Sequence, residues 1–219
     1  MRSTIFTAVS TSLLLAAAAN AGPDWLEQGD AGSLITTAQA VVGVGQLETI
    51  SGNLNSGILG LDLEDMYLIR ITEPTNFSFS LNGTLNTTVW LFNVTQANEA
   101  FGLLANDNGP KGIHPLLDGG ATDDTMASVN NPGIYAVAIS ASGRVPTSIG
   151  GPIFDIDSLT EISGPDGPGG LLPHTGWTGQ GATGSYTITV TGVNYVDVPA
   201  PGAAATLIIG FAACSRRRR

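Results

Sequence analysis

No stretch of the chain between Leu47 and Val193 keeps an apolar period of 3.6 residues, and this most restricts what it can fold into. Short β-branched and aromatic runs stand there instead, divided by Gly, Asn, Asp and Pro. They read LETISGNL (47–54), MYLIRI (66–71), FSFSL (77–81), TTVWLFNV (87–94), Phe101 to Ala105, IYAVAIS (134–140) and YTITVTGV (186–193). Regularly spaced short strands with turn residues between them predict an all-β domain, a sandwich or barrel. In FSFSL and YTITV the apolar residues alternate with Ser and Thr, as one half-buried face of an antiparallel sheet requires. The expectation is a jelly-roll-like antiparallel β-sandwich with Tyr67, Trp90, Phe92 and Tyr135 in its core.

One segment breaks the rhythm. Residues 141–184 are rich in Gly and Pro and include GPDGPGG at 164–170. That is long for a structureless connection inside a compact domain. The expectation is an insertion that either holds a hairpin around Ile153 to Ile162 (IFDIDSLTEI) or crosses the sandwich.

The two ends differ from the body. Residues 1–21 have a positive Arg2, an apolar core from Leu13 to Ala19, and a small-x-small pattern at Ala19-Asn20-Ala21. They read as a secretory signal peptide cut after Ala21 by signal peptidase. Residues 198–219 read VPAPGAAATLIIGFAACSRRRR: a Pro-rich turn, an uncharged apolar run and four arginines. A spanning helix needs ~20 apolar residues to cross ~30 Å of hydrocarbon. Residues 201–215 offer roughly 22 Å at 1.5 Å per residue, which suits a transient membrane hook better than a permanent anchor. Three regions follow: signal peptide 1–21, β-sandwich 22–197, and C-terminal sorting or membrane segment 198–219.

Setting both ends aside sharpens the charge balance. Only Arg70, Lys111 and Arg144 remain against all eighteen acids. So acidic a body lacks the basic patch that nucleic acid requires. The single cysteine, Cys214, lies in the tail. No disulfide can form within the domain, so its stability must come from packing or bound ions.

The tail, with Val198, Pro199, Ala200 and Pro201 before the apolar run and Arg216, Arg217, Arg218 and Arg219 after it, resembles the PEP-CTERM class of bacterial sorting signals. Ala200 stands where the usual signal has glutamate. The resemblance implies export, handling by an exosortase-like membrane protease, and delivery to the cell envelope or extracellular matrix. The body resembles the bacterial pre-peptidase C-terminal (PPC) type of β-sandwich over 24–140 and 185–192. The match rests on Asp65-x-Tyr67, Leu91-Phe92, Asn106-Asp107-Asn108 and Pro132-Gly133-Ile134-Tyr135. That resemblance implies an accessory or adhesive module without a reaction of its own.

Candidate chemistry is sparse. Carboxylate pairs occur at Asp62, Glu64 and Asp65, at Asp123 and Asp124, and at Asp155 and Asp157. Glycoside hydrolysis would need two of these across a cleft with aromatic platforms. His114 and His174 are the only histidines, read as solvent-exposed loop residues, and no G-x-S-x-G elbow accompanies them. Calcium prefers carboxylates and loop carbonyls; its candidate ligands are Asp62, Glu64, Asp65, Asp107, Asp123 and Asp124. Trp25 and Trp177 fall outside the strand runs and are the candidate glycan-contacting aromatics. Four N-x-[ST] sequons, at Asn76, Asn82, Asn86 and Asn93, suggest a polar outward face. The reading is an exported, non-enzymatic, structural or adhesive surface protein in contact with exopolysaccharide or other surface proteins. A carbohydrate-binding module is the alternative and a secreted glycoside hydrolase the remote one.

Overall fold

The computed structural model describes residues 22–57, 60–110 and 112–197. The signal peptide with Ala19 and Ala21, the sorting segment at 198–219, and Lys111 lie outside the described residues. The domain is all-β; its single helical turn among them is Pro74–Asn76.

Thirteen strands define the architecture. They are β1 (Asp24–Leu26), β2 (Thr49–Leu54), β3 (Glu64–Ile71), β4 (Ser78–Gly83), β5 (Thr87–Val94), β6 (Ala100–Asn106), β7 (Leu116–Leu117), β8 (Gly133–Ala141), β9 (Arg144–Ser148), β10 (Gly151–Pro152), β11 (Gly176–Gly179), β12 (Gly184–Thr191) and β13 (Val193–Asn194). The first sheet runs β1-β2-β12-β4-β7 and the second β6-β5-β8-β3-β13. All these pairings are antiparallel except that β1 lies parallel to β2. Gln39–Ala40 also runs parallel beside β3.

Strand periodicity explains the core. In the first sheet Ile50, Phe79, Leu81, Ile188 and Val190 turn inward, while intervening Ser, Thr and Asn residues face out. They meet Tyr67, Ile69, Leu91, Tyr135, Val137 and Ile139 from the second sheet. The alternate residues of the second sheet, Met66, Trp90, Phe92, Ala136 and Ala138, are buried too, in a separate cluster on its far side. Sheets covered on both faces read as near-continuous apolar runs, which is why MYLIRI and TTVWLFNV do not alternate.

The cover is the Gly/Pro-rich insertion. It forms a small third sheet, β10-β9-β11, and packs Ile153, Phe154 and Trp177 on Trp90 and Phe92. No hairpin spans Ile153 to Ile162; the hairpin is β9–β10, just upstream. The reason lies in the side chains: adjacent Ile153 and Phe154 are both buried, which a two-faced strand on the surface could not arrange. Their backbone is tied by Ile153 N–H to Pro146 O (3.0 Å) and Gly167 N–H to Ile153 O (3.1 Å) instead.

Gly102, beside a β-bulge in β6, is where this cover comes closest. A Cβ there would lie on Ile153 Cγ2 and 2.9 Å from Phe154 Cζ. Gly102→Val keeps a residue that suits strands, so its effect isolates crowding. We expect it to cost about 1–3 kcal/mol by overpacking, read as a lower urea midpoint with an unchanged slope. No loss of midpoint would mean that the insertion does not seat on β6.

Candidate functional site

Two features stand out: a carboxylate cluster at one end of the sandwich, and the open face of the first sheet.

The cluster is assembled from three places in the chain. Glu27 follows β1 and is fixed by its N–H to Ser51 O, at 2.9 Å. Asp62 and Asp65 straddle the start of β3. Glu64 and Asp65 are successive strand residues and so point to opposite faces. Asp65 turns inward beneath Glu27 and Asp62, and carboxylate oxygens from the three residues lie within 4.8 Å of one another. Asp65 accepts a hydrogen bond from the Tyr186 hydroxyl, which lies 2.7 Å from the Tyr67 hydroxyl. Glu27 Oε2 accepts the Asn53 N–H at 2.8 Å. Asp65 Oδ1 and Glu27 Oε1 are buried with no partner.

Burial dominates the electrostatics. It pushes Asp65 up to about 8, with the Asp62, Glu27 and Asp30 charges adding and the Tyr186 hydrogen bond opposing. Burial, then Asp30 and Glu27, raises Asp62 to about 7; burial also raises Glu27. Tyr186 and Tyr67 are raised by burial first, then by each other or by Asp65. The two ion pairs among the described residues, Arg70–Asp197 and Arg144–Glu64, lie elsewhere. The cluster therefore has no cationic side chain to balance it among those residues.

Of the six calcium candidates, Asp62 and Asp65 come together in this cluster, Asp123 and Asp124 share a separate bowl, and Glu64 and Asp107 are taken by other partners. Glu64 points to the other face of β3 from Asp65 and pairs with Arg144, while bordering the same cleft as Asp62. Asp107 is buried and accepts from Thr88 Oγ1 (2.7 Å) and Ser142 Oγ (3.1 Å). Asp123 takes the N–H groups of Thr125 (2.9 Å) and Gly164 (2.6 Å). Burial works to raise the Asp123 carboxyl, but the Thr125 hydroxyl first, then these N–H groups, hold it low. Asp124 lines an open bowl with Asp123, Asp157, Glu161 and Asp166. Glu27 was not among the candidates: only the parallel β1–β2 pairing brings it to Asp65, and no local pattern announces that.

The tryptophans are not exposed platforms. Trp25 is 6% exposed, donates its indole N–H to Gln39 Oε1 at 2.9 Å and meets Tyr195 edge-on. Trp177 is half-buried, donates to Ser33 O at 2.6 Å and packs on Trp90 and His174. Both rings join segments that would otherwise leave apolar surface in water. His174, expected in solvent, is buried between Phe92 and Trp177.

The open face belongs to the first sheet. Thr187 pairs with Ser51 on one side and Asn82 on the other, and Thr189 with Thr49 and Ser80. Ser51 Oγ and Thr187 Oγ1 are 3.0 Å apart. Across β2, β12 and β4 the outward side chains are uncharged hydroxyls and amides. A groove of about 410 Å³ adjoins them, lined by Ser80, Asn82, Pro110, His114 and Pro115 among others. Of the four sequon asparagines, Asn82 lies on this face; Asn93 lies near the end of β5 in the other sheet.

No family model matches the chain, and no curated protein matches it.

Proposed function

We propose that the protein is an exported, non-enzymatic structural or adhesive component of the cell envelope or extracellular matrix, with the open face of the first sheet as its contact surface. The observation that carries this reading is the lack of charge across β2, β12 and β4 of that face; Asp24, at its β1 edge, is bonded to Thr49 Oγ1 at 2.7 Å. The body sets eighteen acids against three basic residues, so an approaching anionic polymer or acidic neighbour is repelled almost everywhere else. Ser, Thr and Asn there can both donate and accept hydrogen bonds, as polysaccharide hydroxyls do. Order along the chain supports a jelly-roll reading: from β2 onward, and leaving out the third-sheet strands β9–β11, successive strands alternate between the two main sheets apart from the β5–β6 hairpin. Delivery rests on the signal peptide and the PEP-CTERM-like tail, with signal peptidase and an exosortase-like protease as processing partners. The PPC-like motifs agree with an accessory module.

The alternative is a carbohydrate-binding module in the strict sense, favoured by the groove beside Ser80 and Asn82. Fractionation of native cells with intact-mass measurement tests the main reading. A species lacking both 1–21 and the arginine tail is expected in the surface or matrix fraction. A membrane-bound species still ending at Arg219 would overturn sorting by cleavage. The double variant Thr187→Glu/Thr189→Glu, which charges the face without touching the core, is expected to shift the protein from matrix to medium with little change in melting. Unchanged retention would remove the face as the contact surface. Saturable binding of short soluble oligosaccharides would favour the module reading over adhesion.

A further inference from the structure

We propose that Glu27, Asp62 and Asp65 form a calcium site that clamps the N-terminal segment and the head of β3 to the first sheet. The inference stands apart from the proposed function and rests on this cluster alone.

Three protein carboxylates with no cationic side chain beside them among the described residues suit a hard divalent ion. Calcium binds such oxygens at about 2.3–2.6 Å and tolerates irregular geometry, whereas magnesium keeps several waters and takes about one or two carboxylates. Oxygens within 4.8 Å of one another can share one calcium ion with little movement. Imidazole and thiolate, which would favour zinc, are not in the cluster.

Proximity alone would not distinguish a site from a crowd of acids. The deciding observation is Asp65. It is 0% exposed, yet Oδ1 has no hydrogen-bond partner while the other carboxylate oxygen is held by Tyr186. Glu27 repeats the pattern, with Oε2 on the Asn53 N–H and a buried, unpartnered Oε1. Hydrogen bonds therefore aim both carboxylates and leave one oxygen of each unused, in a setting where an unpaired polar atom is costly. Gly52 keeps the space open. A Cβ there would fall on the Tyr186 hydroxyl and 2.7 Å from Glu27 Oε2. On the solvent side, Asp62 also lines a cleft of about 340 Å³ with Asp30, Ser33, Thr37 and the Arg144-paired Glu64, a path for a hydrated ion.

The mechanical consequence follows from topology. β1 is a three-residue edge strand held to β2 by one short parallel ladder. An ion shared by Glu27 and Asp65 fixes that edge to the second sheet across the sandwich.

The test uses the full chain, stripped of metal with chelator and folded by circular dichroism. Calcium at 100 times its dissociation constant is expected to raise the melting temperature by about 5–10 °C; equimolar magnesium should give less than a third of that. Terbium, which replaces calcium, should luminesce on tyrosine excitation because Tyr186 touches Asp65. Glu27→Gln keeps the bond to Asn53 and should weaken calcium binding at least tenfold while remaining folded. Asp124→Asn, in the exposed bowl, should leave binding unchanged. Absence of both the melting shift and the luminescence in folded protein overturns the site. A calcium shift that survives Glu27→Gln but disappears in Asp124→Asn also overturns it, by moving the ion to the bowl.

Discussion

Trp90→Ala is expected to cost about 3–5 kcal/mol, which for a chain of this size lowers the melting temperature by roughly 6–20 °C. Trp90 is fully buried on the far side of β5. Its ring meets Phe154 at 5.4 Å and Trp177 at 6.2 Å, both from the insertion. The indole N–H donates to Ser140 Oγ at 2.9 Å, and Ser140 donates in turn to Arg144 O at 2.7 Å, where the third sheet begins. Truncation therefore opens a cavity and leaves a buried hydroxyl without its donor. The damage should concentrate in the third layer, so limited proteolysis of the variant should cut within 145–180 before the sandwich strands. Trp177→Ala, at a half-buried position, should cost less. A Trp90→Ala protein that melts like the parent would mean that the insertion does not bear on the second sheet.

The same residues mark how much of the fold was legible in the sequence. FSFSL and YTITV alternate because their outer face meets water, and alternation assigns them to a half-open sheet directly. MYLIRI and TTVWLFNV were recognisable as strands, but their unbroken apolar character carried a second message: something covers both faces. The covering residues, Ile153, Phe154 and Trp177, follow no period because they cap a sheet instead of belonging to one of the two main sheets. The glycines around them, such as Gly102, serve close approach, and a Gly/Pro-rich stretch looks the same whether it packs or floats. Hence the insertion was visible as an anomaly and its role as a layer was not.

The carboxylate cluster was half legible. Asp62 and Asp65 stand three apart at a strand head, which brought them forward as candidates. Strand alternation separates Asp65 from Glu64, and Arg144 then claims Glu64 across a sequence distance that no local rule covers. Glu27 joins through a parallel pairing between distant segments. Trp25 and Trp177 were misjudged for a related reason. Position outside the long strand runs suggested solvent, but both lie on short strands, β1 and β11, and an indole can be buried wherever a carbonyl or amide oxygen accepts its N–H, as Ser33 and Gln39 do.

Replacing His174 should separate an acid-sensitive contribution from the rest of the molecule. The imidazole is 5% exposed, lies 5.2 Å from the Phe92 ring and 5.1 Å from the Trp177 ring, and neither ring nitrogen has a well-aligned hydrogen-bond partner. Burial lowers its pKa to about 4, and a Gly176 backbone group offsets only part of that. The unfolded chain takes up the proton near 6.5, so between about 6.5 and about 4 the unfolded state binds more protons. Stability from this residue is complete above that window and is lost as pH falls through it. The shift corresponds to about 3 kcal/mol. Asp62 and Asp65 act in the opposite sense: their raised values favour the folded state in acid and cease to do so as pH rises through about 7 and about 8. The parent's own pH profile is therefore a sum of opposing contributions, and the comparison with His174→Leu isolates one of them. At pH 7 the variant should melt at or slightly above the parent, since two unpaired nitrogens are gone. At pH 4 its advantage should grow by roughly 6–12 °C. A difference that stays flat between pH 7 and pH 4 would place the imidazole in contact with water, and the seal between the insertion and the second sheet would then be looser than the packing of Phe92 and Trp177 implies.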